Sequence, residues 1–232
     1  MKNVYKRNWA FRCLKSIVRV FSRRPKYVFL GDEFVDNAIY LSNHVGVKAP
    51  FTFELFFPKE FRFWGTYEMN SSFKERFHYL DKIYFHQKKH IPRVFSFLIS
   101  IIATPVMTIA YKGLNLISTY PDGRLIQTLR TSLKVLKDDK KSIIIFPENS
   151  SDGYHDELKE FFSGFYTLGS ICYDRGLDLP IYLMYYKKKE RTYIVDKPVM
   201  FSTLKASGLD KKVIAENFKN RANELRLYNT KK

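Results

Sequence analysis

From Val94 to Tyr111 the chain reads VFSFLISIIATPVMTIAY, a run of 18 residues without a charge. A run this apolar has no water to satisfy its backbone, so its N–H and C=O groups must pair within the segment, and it is predicted to be a helix. Eighteen residues is the lower limit for crossing a bilayer. Ser96, Ser100, Thr104 and Thr108 recur at every fourth position, however, and Pro105 interrupts the run. A stripe of small hydroxyl residues lets a helix pack closely on protein and argues against lipid on every side. Two arrangements satisfy this pattern. One is a buried or half-embedded helix beside an apolar channel, and the other is a true span.

Around this helix the chain alternates between two periodicities. Residues 27–30 (YVFL), 38–42 (AIYLS), 61–67 (FRFWGTY), 142–146 (SIIIF), 179–186 (LPIYLMYY) and 191–195 (RTYIV) read as strands. The apolar run of 142–146 is too short for a helix and suits a strand buried on both faces. Residues 50–57, 124–138, 158–173 and 209–228 read as helices, the second with Leu125, Leu129, Leu133 and Leu136 on one stripe. Such alternation predicts an α/β domain with a mostly parallel central sheet flanked by helices. The expected organisation is an N-terminal helix over 1–25, an α/β domain over 26–205 and a basic C-terminal helix over 206–232.

Charge adds a partner class. The formal net charge is +17, and the first 31 residues hold nine Lys or Arg and no acid. Residues 5–24 predict an amphipathic helix ended by Pro25, with Arg12, Lys15, Arg19 and Arg23 on one face and Trp9, Ala10, Cys13, Leu14, Ile17, Val18 and Phe21 over much of the rest. A basic face beside an aromatic and aliphatic one suits a helix lying in an anionic membrane interface, with Trp9 and Phe11 at the interface and the basic residues on lipid phosphates. A surface helix packed on its own domain is the alternative. Cys13 and Cys172 are the only cysteines, which fits a reducing compartment. The first residues lack the uninterrupted apolar core of a secretory signal. The expected place is the cytoplasmic face of a membrane, peripheral or partly embedded. Nucleic acid is not an expected partner, because the aromatics sit in apolar runs such as FTFELFFP and no RNA-binding sheet motif, zinc module or recognition helix is present.

Several chemistries are excluded by pattern. Neither a P-loop nor a dinucleotide fingerprint occurs, and there is no Gly-x-Ser-x-Gly elbow. His78, His86 and His90 lie in a charged stretch without a Glu at metal-site spacing, a solvated run that could face phosphate, and no metal or prosthetic group is expected. Two places remain. Asn43-His44 follows the strand at 38–42, and Phe146-Pro147-Glu148 follows the strand at 142–146. Sites in open parallel sheets lie beyond the carboxyl ends of strands, so both segments are expected at one sheet edge.

The blocks SNHVGVKAP, LISTYPDGRLIQTLRTSLKVLKDDKKSIIIFPENSSDG and LPIYLMY, in that order, resemble the glycerolipid acyltransferases of the 1-acylglycerol-3-phosphate acyltransferase superfamily over roughly residues 38–200. The resemblance implies that family's α/β fold and transfer of a fatty acyl group from a coenzyme A or acyl-carrier-protein thioester to a glycerolipid hydroxyl, such as that of a lysolipid. By resemblance His44 is the general base that takes the acceptor's proton, and backbone N–H groups of the turn after it stabilise the oxyanion. Asn43, Lys48, Arg124, Phe146, Pro147, Glu148, Asn149 and Ser150 are the expected substrate-binding residues.

The chain also departs from the family's pattern. The family's first block is Asn-His, four residues, then Asp, and here Ala49 stands at the Asp position. The second-block Arg falls on Pro121, and the third block continues Asn149, Ser150, Ser151 in place of Gly-Thr-Arg. Two readings follow. In one, the enzyme has a rearranged site, with Glu54, Glu68, Asp152, Asp156 or Glu157 holding His44, Arg124 or Lys48 replacing the lost guanidinium groups, and an acceptor headgroup other than lysophosphatidate. In the other, a catalytically inactive acyltransferase-like protein binds a lipid or a partner.

Overall fold

A computed structural model of the chain describes residues 9–46 and 48–230, the side chains of Ala10 and Leu14 excepted. It divides into two compact units. One comprises the described residues of 1–23 with 63–128 and 150–153, and the other comprises 24–62, 129–149 and 154–232 as far as they are described. The division thus cuts through the expected 26–205 domain and places the C-terminal helix inside the larger unit.

The larger unit is a mostly parallel sheet. β1 (Lys26–Phe29), β7 (Thr192–Val195), β6 (Pro180–Lys187), β2 (Ile39–Ser42) and β5 (Ser142–Ile145) lie in that order. β1 is parallel to β7, and β2 is parallel to both β5 and β6. β7 and the short β8 (Val199–Met200) run antiparallel to β6. Every residue of β2 and β5 is buried, as the apolar runs require of interior strands covered on both faces. α2 (Lys48–Phe56), α6 (Gly164–Tyr173), α7 (Phe201–Ala206) and α8 (Lys211–Leu227) flank the sheet. α8 buries Ile214, Ala215, Phe218, Ala222 and Leu225, so the C-terminal segment expected as a separate basic helix is part of the core.

α6 and α7 meet at a glycine. A Cβ on Gly169 would fall on the Phe201 ring. Phe201 is fully buried and cannot swing outward, so Gly169→Ala is expected to destabilise the protein by about 1–3 kcal/mol through overpacking. Thermal unfolding should show a lower midpoint, restored in part by Phe201→Leu. An unchanged midpoint would mean that this contact is loose.

The smaller unit is organised around α4 (Arg93–Leu114). Ser96, Ser100 and Thr104 are fully buried, while Val94, Phe95, Phe97, Leu98, Ile101, Ile102, Val106 and Ile109 are exposed. The hydroxyl stripe therefore turns inward and the apolar arc outward, the reverse of a surface helix in water. α3 (Phe73–His78) and a π-helix over Tyr79–Lys88 back α4. Two contacts tie them together. Buried Asp81 accepts a 2.9 Å hydrogen bond from Ser96 Oγ near one end, and buried Arg76 donates to Thr108 Oγ1 at 2.8 Å near the other. α3 begins with a Ser72–Glu75 capping box. β4 (Ile117–Thr119) pairs in parallel with the end of β3 (Phe61–Thr66). β3 and α5 (Leu125–Lys137) cross the division between the units.

α1 covers Trp9–Phe21, and residues 5–8 of the expected helix lie outside the described residues. Trp9, Cys13, Ile17, Val20 and Phe21 are exposed, as are Arg12 and Arg19, with Lys15 half-exposed. Arg23 is also exposed, beyond the helix end. Phe11 corrects the expected outward set. It is buried, its ring lying where a Cβ on Gly113 of α4 would be. A glycine there is what lets the two helices approach.

Candidate active site

β2 and β5 are parallel neighbours with Leu41 opposite Ile145. Continued by three residues, that register brings His44 opposite Glu148. The backbone N–H of His44 donates to Glu148 Oε1 at 3.1 Å. The two segments singled out in the sequence therefore meet at the carboxyl ends of adjacent strands, where an open α/β sheet presents its crevice.

Asn43 is buried and locks the strand end. Its Nδ2 donates to the Tyr186 carbonyl at 3.2 Å, and its Oδ1 accepts from the Tyr186 N–H at 2.7 Å. That closed pair makes Asn43 a structural anchor for His44 rather than a group aimed at substrate. After His44 the chain turns sharply, with φ of 46° at Val45 and 65° at Gly46. A β-branched residue in the left-handed region costs about 1–3 kcal/mol, and such strain persists only where the surroundings enforce it. Val47 lies outside the described residues.

The His44 ring is held by aromatics. Tyr154 stacks on it, centroids 5.0 Å apart and planes 24° from parallel, and Phe146 meets it edge-on at 4.7 Å. Phe146 was expected from sequence, whereas Tyr154 was not. Its only sequence signal is an aromatic six residues after Glu148, which means nothing until the loop is folded. Glu148, itself buried, forms an antiparallel bridge with Phe161. Pro147 accepts from the Phe162 N–H at 2.7 Å, and the Asn149 N–H donates to the Glu160 carbonyl at 3.1 Å. These backbone pairings take residues 158–163 out of the helix expected over 158–173, which begins only at Gly164.

The remaining expected residues are placed as follows. Asn149 donates its side-chain N–H to Glu160 Oε2 at 2.7 Å, and Ser150 accepts from Lys88 at 2.9 Å, so both brace the loop. Lys48 is exposed at the start of α2. Arg124, in the smaller unit, is engaged by Asp122 (Nη2–Oδ2 2.7 Å) and lies over the rings of Tyr67 and Tyr120. That guanidinium holds the Asp122 carboxyl down at about 2. Arg124, expected as a replacement phosphate grip, is thus paired with Asp122 at the surface.

A solved acyltransferase is similar to this chain. The crystal structure of the 1-acyl-sn-glycerophosphate (LPA) acyltransferase, PlsC, from Thermotoga maritima matches with a TM-score of 0.47 and 16% identity, over 100% of this chain and 86% of that one. No protein-family model matches the chain, and no curated protein matches it.

Ala49, at the position where the resembled family has Asp, is fully buried in α2, and its carbonyl accepts from the Tyr193 hydroxyl at 3.3 Å. Burial pushes the Tyr193 phenol well above its usual pKa, so it stays a neutral donor. Among the carboxylates considered for holding His44, Glu157 lies 3.2 Å from Arg226 and Glu68 accepts from Thr66. Asp156 is exposed, Glu54 is buried on α2, and Asp152 belongs to the smaller unit. Glu148, expected as a substrate residue, is a carboxylate that reaches His44, through the backbone.

Proposed function

We propose that the protein is a membrane-seated acyltransferase that moves a fatty acyl group from a thioester, on coenzyme A or an acyl carrier protein, to a lipid hydroxyl. The observation that carries the chemistry is the meeting of His44 with Glu148 at the ends of two parallel strands, in the motif order of the resembled family. His44 takes the proton of the acceptor hydroxyl as its oxygen attacks the thioester carbonyl. The tetrahedral intermediate then expels the thiolate, which recovers that proton from the imidazolium.

The magnitudes bear on how fast this runs. Loss of an orienting Asp costs on the order of 10⁴ in rate, about 5.5 kcal/mol. A cation over a Tyr face gains about 0.5–2 kcal/mol, so Tyr154 stacked on the imidazolium recovers part of that and no more. Tyr154 acts here as a positioning residue. Tyr154→Leu is expected to lower kcat by about 2- to 30-fold with little change in KM. Tyr154→Phe, which keeps the ring face, should retain most of the rate. Equal losses in both variants would mean that the hydroxyl, not the face, is what matters.

α4 is the basis for the membrane seat. Its outward apolar arc suits lipid, while its inner face is backed along its length by α3 and the π-helix, which carry Lys74, Glu75, Lys82 and Lys88. By length and composition α4 could cross a bilayer. A span would drag those charges into hydrocarbon at a cost of about 2.5–3.5 kcal/mol each, so a half-embedded helix is the cheaper arrangement. The exposed Trp9, Ile17, Val20 and Phe21 of α1 add apolar surface, and the +17 charge favours an anionic leaflet and an anionic donor. The test is a mass-spectrometric product assay with acyl-coenzyme A or acyl-carrier protein and a panel of lysolipids. An acylated product names the acceptor. No product from any pair, with lipid still bound, would replace this reading with that of a lipid-binding protein.

A further inference from the structure

The stretch 82–93 holds Lys82, Lys88, Lys89 and Arg93 without an acid, and it bends back at His90, whose φ is 54°. Within the smaller unit the end of the π-helix faces residues 151 and 152 across an open cleft of about 700 Å³, lined by Lys82, His86, Gln87, His90, Ser151 and Asp152. The loop is pinned to the π-helix. Lys88 Nζ donates to Ser150 Oγ at 2.9 Å, and Gly153 packs its backbone beside Lys88 and His90. The His86 Nδ1–H donates to the Ile91 carbonyl at 2.9 Å, which orients the ring and leaves Nε2 as its second hydrogen-bonding atom.

We propose that this cleft binds a phosphate monoester. Lys82 supplies the charge. The His90 ring, the Ser151 hydroxyl and the Gln87 amide supply directional hydrogen bonds. The carbonyls at a helix end repel anions, but the Phe85 carbonyl is already taken by the Ile91 N–H. Asp152 opposes a bound anion and sets the limit on affinity. Among the described residues no three His, Cys, Asp or Glu converge as a metal site requires. The site does not depend on the acyl-transfer reading, because it is measured without a donor or any turnover.

Calorimetric titration of the full chain with glycerol 3-phosphate and with adenosine 3′,5′-bisphosphate tests it. Tighter binding of the first identifies a lipid headgroup as the source of the phosphate, and of the second a coenzyme. Lys82→Met and His90→Gln should each weaken the preferred ligand by about tenfold, whereas Asp152→Asn should tighten it severalfold. Opposite signs at facing residues are not what a loss of folding produces. Failure of both phosphates to bind, or binding unchanged in Lys82→Met and His90→Gln alike, would overturn the proposal.

Discussion

His44→Ala is expected to lower acyl transfer by about 10²- to 10⁴-fold, the usual contribution of a general base, or about 3–5.5 kcal/mol of barrier. The loss should be chemical rather than structural. The bond that ties this position to Glu148 uses the backbone N–H, which alanine keeps, and Asn43 holds the strand end through Tyr186 whatever side chain follows. Loss of the ring's contacts with Tyr154 and Phe146 should lower thermal stability somewhat, while vesicle binding stays close to the parent's and product formation falls in the mass-spectrometric assay. His44→Gln, polar but unable to accept a proton usefully, should fall as far. Unchanged turnover in either variant would move the base elsewhere.

Putting two carboxylates on the outer face of α4, Ile102→Glu with Val106→Glu, is expected to weaken binding to vesicles containing anionic lipid by at least about 100-fold. Each substitution withdraws about 1.5–3 kcal/mol of apolar burial before any charge penalty is counted. Both residues are exposed and lie opposite the stripe that packs on α3 and the π-helix, so folding should be unaffected. Co-sedimentation at low and high salt separates the contributions. Charge attraction is screened by salt, whereas insertion of α4 is not. Binding by the double variant equal to the parent's would remove α4 from the membrane and leave α1 as the seat.

Where the sequence was legible, the reason was periodicity or local chemistry. Ser96, Ser100 and Thr104 turn inward because a four-residue spacing puts them on one face, and that face can pack closely only against protein. Asn43-His44 and Phe146-Pro147-Glu148 come to one edge because strands joined through helices run parallel and end on the same side. Phe11 misled, since its helical position is apolar in pattern whether it faces lipid or Gly113.

By itself the sequence determined the strand and helix alternation, the inward stripe of α4 and the pairing of the two candidate segments, all of which follow from spacing along one element or between neighbours. Only the tertiary structure decided that Tyr154 stacks on His44, that Asn149 and Ser150 brace a loop, that Arg124 pairs with Asp122, and that Lys82 and Asp152 line one cleft. Each of these but the Arg124 pair joins residues distant in sequence through an irregular loop. No repeat of 2 or 3.6 residues encodes such a contact, and backbone pairings such as Glu148 with Phe161 set the path of the chain.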